Sequence, residues 1–300
     1  MMQAVLNFPA LDPELFSFAI GGFEFALRWY ALAYMAGLLL GWWLVVRLVK
    51  RADLWPGETA PMTAEQVGDL LTWVILGVVL GGRLGFVIFY KPMDYLANPI
   101  DIVKIWEGGM AFHGGLIGVV VALILYCRSQ SIPLMQAADA LALATPPGLF
   151  FGRIANFINA ELWGRPSDVP WAMVFPGELA ALCPPGWEGP CARHPSQLYE
   201  AALEGLILGL ILLYLVYRRG WLKVPGLTAG LFFAGYGVGR FIVEFFRQAD
   251  FQFITPENPI GFAIHWNGIG VTMGQLLSLP MVAFGAALIL IALRQKKRAA

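Results

Sequence analysis

Residues Leu141 to Phe151 read "LALATPPGLFF", and the chain then runs directly into "GRIANFINAELWGR", residues Gly152 to Arg165. The first stretch is apolar. The second brings together Arg153, Asn156, Asn159, Glu161 and Arg165. An oily segment that ends in this much charge either leaves lipid for water or lines a polar interior. Composition favours a lipid setting: of 300 residues, 58% are hydrophobic and only 13% charged, with a mean hydropathy of +0.67. A soluble domain carries roughly 25% charged residues. This chain has too few polar side chains to cover a globular surface, so lipid must be its solvent.

A spanning helix needs about 20 mostly apolar residues. Seven such segments are expected, at about 28–49, 66–90, 111–127, 133–152, 198–217, 226–246 and 270–293. The fold class is therefore an all-α polytopic membrane protein, one membrane-embedded domain over residues 1–300. The stretch 153–197, rich in Pro, Gly and Trp, is expected as a small extracytoplasmic head between the fourth and fifth spans. Pro133, after the short loop "RSQSIP", suits the first turn of a helix. The N-terminus "MMQAVLNFPALDPELF" has neither a basic n-region nor a small-residue cleavage site and does not read as a cleaved signal peptide. No internal repeat or low-complexity tract is visible.

Lys and Arg near the segment ends set the orientation. Arg47, Lys50, Arg51, Arg128, Arg218, Arg219, Lys223, Arg294, Lys296, Lys297 and Arg298 all fall on one side if seven spans are counted. That side is the cytoplasm, which leaves the N-terminus outside. The other basic residues, Arg28, Arg83, Lys91, Lys104, Arg153, Arg165, Arg193, Arg240 and Arg247, break the rule and need another explanation. Alternating spans bring Arg28, Tyr30, Arg83, His113, Arg153, Asn156, Tyr199, Glu200, Tyr236, Arg240, Glu244 and Arg247 to one depth, the outer leaflet. Arginine at a helix centre costs roughly 2.5–3.5 kcal/mol on insertion scales, so such arginines face polar interiors.

In the sixth segment Tyr236, Arg240, Glu244 and Arg247 share a helix face. One reading is an internal Arg240–Glu244 pair with Arg247 reaching to the interface; the other is an anion site centred on the deeper Arg240. His113 lies in the glycine-rich "GGMAFHGGLIG", which allows close backbone approach, and is either a packed residue or a catalyst. His194 has a plainer explanation, since Pro195 and Ser196 look like a helix start. Glu200 and Glu204 could orient arginines or bind substrate, and nothing in the sequence decides between these.

Zero formal net charge argues against a nucleic-acid partner. The three histidines and three cysteines lack metal-ligand spacing, so no metal is expected. Cys183 and Cys191 flank "PPGWEGP" and are either a disulfide or two loop thiols.

Seven stretches, "RWYALAY" (28–34), "GGRLG" (81–85), "GGMAFHGG" (108–115), "GRIANFINAELWGR" (152–165), "HPSQLYE" (194–200), "GYGVGRFIVEFFRQAD" (235–250) and "TMGQLLSLPM" (272–281), resemble the bacterial prolipoprotein diacylglyceryl transferases. They follow the family's order over almost the whole chain, and 152–165 resembles its signature. Arg28 stands where some members have His, and Ala155 where many have Gly. The segment 166–193 matches no family motif.

The resemblance implies a seven-span enzyme of the bacterial inner membrane with its active site on the outer side. Its reaction moves the diacylglyceryl group of phosphatidylglycerol to the thiol of the lipobox cysteine in a preprolipoprotein signal peptide. A thioether forms and glycerol phosphate leaves, with no cofactor called for. By the same match Tyr30, His113, Arg153, Asn156, Glu161, Gly164, Arg240 and Glu244 fall on functional positions. Arginine forks suit a phosphate, so Arg153 and Arg240 are assigned to it. A free thiol titrates near 8.5, and His113 is the candidate base. Asn156, Tyr30 and Glu161 would hold headgroup and arginines, with Tyr236, Glu244 and Arg247 also in the binding set. Rival readings are an anion or lipid transporter, which would conserve its lipid, and a scaffold whose polar groups only join helices.

Overall fold

Each of the seven apolar stretches folds as a helix in the computed structural model, which describes residues 6–21, 23–184, 186–266 and 269–299. The helices are α1 (Trp29–Val49), α2 (Ala64–Phe89), α3 (Phe112–Ser129), α4 (Leu134–Ile158), α5 (Ser196–Arg219), α6 (Leu227–Val243) and α7 (Met273–Ala299). Five of them, α1, α2, α3, α5 and α7, are long and apolar enough to cross a membrane, so the chain is an all-α membrane-spanning protein with short β-ribbons attached. Its surface is inverted relative to a soluble domain. Leu39, Leu80, Ile117, Leu210 and Leu290 are exposed, while Arg83, Asn156, Glu200, Glu204 and Glu244 are buried.

Three boundaries differ from the sequence reading, and each moves a candidate residue. Helix α4 continues to Ile158, so Arg153 and Asn156 lie in its last turns and the head begins beyond them. Helix α6 ends at Val243, which puts Glu244 and Arg247 in the turn that follows instead of on the helix face. Arg28 closes a ribbon, not a span. Strands β2 (Glu14–Ile20) and β3 (Phe23–Arg28) pair antiparallel, with Arg28 at 3.1 Å from Glu14 across the open end. A ribbon of this kind leaves only weak period-two alternation, which reads as loop beside a strong helical signal.

The chain divides into two compact units, Met1–Gly41 with Ala142–Ala300, and Trp42–Leu141. In the second unit α2 begins with a capping box: the Gln66 N–H donates to the Thr63 hydroxyl at 3.2 Å, and the Thr63 N–H to the Gln66 side chain at 2.9 Å. Helices α2 and α3 then cross on glycine. Gly77, Gly81 and Gly85 recur every four residues on α2 and meet Gly114 and Gly118 of α3. Apolar side chains gain nothing by leaving lipid for one another, so the close backbone approach that glycine permits supplies the contact.

The first unit is organised on the same principle. A Cβ at Gly37 of α1 would sit 2.8 Å from the Gly148 Cα of α4, and one at Gly205 of α5 would sit 2.7 Å from the Phe150 Cβ of α4. On α6, Gly230 and Gly237 let α7 approach through Gly285 and Ser278. Residues Ala201–Ile207 of α5 are wound as a π-helix, a local widening that recurs at functional sites. The other ribbons of this unit are β1 (Leu6–Asn7) beside β4 (Met173–Val174), and β5 (Ile264–Trp266) with β6 (Ile269–Val271). Cys183 and Cys191 form a disulfide in the head, which resolves the alternative left open by their spacing.

The glycine crossing is directly testable. In Gly118→Val the new Cβ would fall on the Gly77 carbonyl and lie 3.1 Å from the Gly81 Cα. Overpacking of this kind costs about 1–3 kcal/mol, so thermal unfolding in detergent should shift clearly downward. Gly68→Ala on α2, where a Cβ meets nothing within 4 Å, should leave it unchanged or raise it.

Candidate active site

The basic residues that break the topogenic pattern separate by what they touch. Arg28 pairs with Glu14, and Lys104 with Asp101 at 2.6 Å. Arg83, buried on α2, donates from Nε to the Ile102 carbonyl at 2.8 Å and through its other nitrogens to the carbonyls of Asp101, Gly108 and Gly109. It fastens the connection between α2 and α3. Arg193 does the same in the head, donating to the carbonyls of Ala180 (2.7 Å), Gly164 (3.3 Å) and Leu182 and stacking 4.0 Å over the Trp163 ring. Burial pulls Arg193 down to about 10, so it remains a cation at neutral pH. Arg165 donates to the Arg247 carbonyl at 2.8 Å. Arg153, Arg240 and Arg247 behave differently, because they converge on carboxylates.

Glu200, in the first turn of α5, is fully buried. Its Oε2 lies 2.8 Å from Arg153 Nε and 3.2 Å from Arg240 Nη1, and its Oε1 lies 3.8 Å from Arg247 Nε. Glu244 supports the other side: Oε1 contacts Arg240 and lies 3.5 Å from Arg247 Nη1, while Oε2 accepts the Thr272 hydroxyl at 2.8 Å. That hydroxyl also accepts the Gln275 N–H that caps α7. Gly274 leaves room for the Glu244 carboxyl, on which any Cβ there would fall. The guanidinium-bearing side chains keep 22, 14 and 20% of their surface exposed for Arg153, Arg240 and Arg247, against 0 and 5% for Glu200 and Glu244. The carboxylates lie beneath and the cations face out. Three arginines over two paired carboxylates leave one positive charge.

The signature stretch builds the adjoining wall. Arg153 Nη1 donates to Asn156 Oδ1 at 3.3 Å, and Asn156 Nδ2 donates to Glu161 Oε1 at 2.7 Å. Ala160 and Leu162, at φ of 53° and 56°, occupy the left-handed region on either side of Glu161. Each costs about 1–2 kcal/mol for an L-residue, and together they turn the chain so that the Glu161 side chain returns to α4. Gln197 Nε2 holds the Glu161 carbonyl at 2.6 Å. Gly164 is pinned where three segments meet: its N–H donates to the His194 carbonyl at 2.8 Å, and a Cβ would lie 2.7 Å from the His194 Cβ and on the Phe246 carbonyl. Its place in the signature is a matter of close approach.

Tyr30 and Tyr34, one turn apart on α1, share a 3.1 Å hydroxyl contact, and the charges of Arg153 and Glu161 act on Tyr34. The charges of Glu204, Arg240, Arg153 and Glu200 act on Tyr236. His113 is exposed in the first turn of α3, in the second unit, with its ring edge-on to Phe112. His194 has a structural role: its Nδ1 lies 3.1 Å from the Tyr199 hydroxyl, which accepts the Trp171 indole N–H at 2.7 Å. Burial lowers the His194 ring below its ordinary value. Sequence reasoning left Glu200 undecided and missed Thr272 and Gln197. The T-x-x-Q capping pattern at 272–275 was the available signal for Thr272.

The site is thus three arginines raised on two buried carboxylates at the helix ends of a membrane-spanning protein. The prolipoprotein diacylglyceryl transferase profile matches residues 16–291, and the chain belongs to that family. It is 64% identical over 284 residues to the phosphatidylglycerol–prolipoprotein diacylglyceryl transferase of Ruegeria pomeroyi, covering 95% of this chain and 96% of that one. The Rhizobium meliloti protein of the same name is 50% identical over 282 residues, covering 94% and 92%. One from Cereibacter sphaeroides is 61% identical over 283 residues, covering 94% and 96%.

Two outcomes follow from this geometry. Glu200→Gln removes the counter-charge shared by three guanidinium groups; breaking a buried pair in this way costs about 3–5 kcal/mol, and the thermal midpoint should fall accordingly. For His194, the folded-state value is depressed, so below the ordinary value of about 6.5 the unfolded chain binds a proton that the folded one does not. Stability should therefore fall as pH drops through 6.5. His194→Gln should flatten that part of a melting-temperature-against-pH curve.

Proposed function

We propose that this chain transfers the diacylglyceryl group of phosphatidylglycerol to the thiol of a lipobox cysteine in a preprolipoprotein signal peptide. The names of the relatives support the reaction, and the arrangement of Arg153, Arg240 and Arg247 on Glu200 and Glu244 is the observation that carries it. In the step itself the cysteine sulfur attacks the glyceryl carbon that bears the phosphate ester. A C–S bond forms, the C–O bond breaks, and its electron pair leaves on the phosphate oxygen of glycerol phosphate.

Charge therefore accumulates on phosphate, and Arg153 and Arg240 are the groups that stabilise it. Arginine forks meet phosphate oxygens bidentately, and they act more strongly where water is excluded. Glu200 sets both forks in place beforehand, so little reorganisation accompanies the reaction. Arg247, Glu244 and Tyr236 complete the headgroup side, while Asn156, Glu161 and Tyr30 hold Arg153 and the lipid. Gly164 keeps the head against the turn that follows α6. In this reading His113 is the proton acceptor for the thiol.

The reading extends to seven spans with the N-terminus outside, in a bacterial inner membrane, the whole chain acting as one catalytic domain with its site on the outer face. The five long apolar helices support the count, and α4 and α6 supply the other two crossings. Helix α4 carries Pro146 and Pro147, and α6 has only 17 residues.

The test uses purified protein, phosphatidylglycerol and a lipobox peptide, following glycerol phosphate release and the mass of the peptide. Wild type should release glycerol phosphate only when the cysteine is present. Arg153→Lys and Arg240→Lys, which keep the charge and lose the fork, should each slow release about 100-fold or more. Intact lipid returned from well-folded wild type would point to a transporter instead.

A further inference from the structure

Glu204 is the buried acid that the mechanism above does not use. It stands one turn beyond Glu200, within the π-wound segment of α5, and has no exposed surface. Among the described residues neither of its carboxylate oxygens has a hydrogen-bond partner, whereas Glu200 and Glu244 both touch arginine. Its stem lies against α6 at Gly239, where a Cβ would meet Glu204 Cγ at 3.5 Å. The charged and titratable groups that act on it are Arg153 from α4, Glu200 from its own helix, and Tyr236, Arg240 and Arg247 from α6 and the turn after it.

Charge counting assigns it a task. With Glu204 ionised, three arginines face three carboxylates and the cluster is neutral. With Glu204 protonated, the cluster carries one positive charge, the complement of one phosphodiester. An anion settling on the arginines also withdraws the field that supports a carboxylate lacking any donor of its own. We propose that Glu204 is a proton-linked positioning residue, held as the neutral acid whenever an anionic lipid headgroup occupies the arginine cluster. Lipid binding and proton binding are then one linked equilibrium, and the cluster keeps its arginines for phosphate only while Glu204 holds its proton. This inference rests on the transferase reading for the identity of the anion.

The experiment measures phosphatidylglycerol affinity from pH 5.5 to 9.5 with the full-length protein in phosphatidylcholine nanodiscs, and transfer to a lipobox peptide in the same preparation. Wild type should lose affinity as pH rises, approaching tenfold per unit for one linked proton. Glu204→Gln, isosteric and permanently neutral, should bind with a flat profile and retain affinity at the alkaline end. Infrared difference spectra of wild type provide a check that needs no variant: adding phosphatidylglycerol at alkaline pH should increase the protonated-carboxyl band. A flat wild-type profile, a Glu204→Gln profile that keeps the wild-type slope, or no gain in that band would overturn the proposal. If those results came with normal glycerol phosphate release, the transferase reading would stand without it. Absence of both binding and release would overturn the two together.

Discussion

The Glu200 carboxylate has no exposed surface and lies among the guanidinium groups of Arg153, Arg240 and Arg247. The rest of the first unit can be understood from that constraint. Three cations cannot be brought this close without a counter-charge, and a carboxylate cannot be buried at the end of a membrane helix without donors. Each solves the other's problem only if α4, α5 and α6 meet at a fixed depth. The helices meet there because Gly205 admits Phe150 of α4 and Gly235 admits Leu208 of α5. Side chains large enough to fill lipid elsewhere would hold these helices apart.

The supports radiate outward from this centre. Glu244 binds Arg240 and Arg247 and is itself held by Thr272, which at the same time caps α7. Asn156 links Arg153 to Glu161, and two left-handed residues aim Glu161 back at it. Gln197 and Ser196, both buried beside Glu200, fasten the Glu161 and Leu162 carbonyls. The polar residues of the signature are thus a frame for one guanidinium group. The charge that opens "GRIANFINAELWGR" marks the polar end of a helix and one wall of the cluster together.

Much of this was legible in the sequence because lipid makes the helical signal strong. Segment positions hold to within a few residues, except where polarity misled: Arg153 and Asn156 looked like the end of a span and are its last turns. Arg240 was readable as an arginine deep enough to need a polar partner, and the Arg240–Glu244 pair expected from their spacing is present, joined by Glu200. Glu200 was not, because its partners lie 47, 40 and 47 residues away, at Arg153, Arg240 and Arg247, and distance in the chain hides a shared counter-charge. The short ribbons were missed for a related reason. Leu6 and Asn7 of β1 pair with Met173 and Val174 of β4, far along the chain, and β2–β3 alternates too weakly to show against the helices. Arg83 was grouped with the site by topology, yet its donors go to loop carbonyls, a use that composition cannot distinguish from anion binding.

The central claim is that the carboxylate-supported arginines hold the lipid phosphate. The most direct measurement is an experimental structure with a phosphonate analogue of phosphatidylglycerol, in which carbon replaces the ester oxygen that leaves. The account predicts phosphonate oxygens within about 3 Å of the guanidinium groups of both Arg153 and Arg240, with Glu200 still beneath them. A headgroup bound elsewhere, with those arginines engaged only by Glu200 and Glu244, would contradict it.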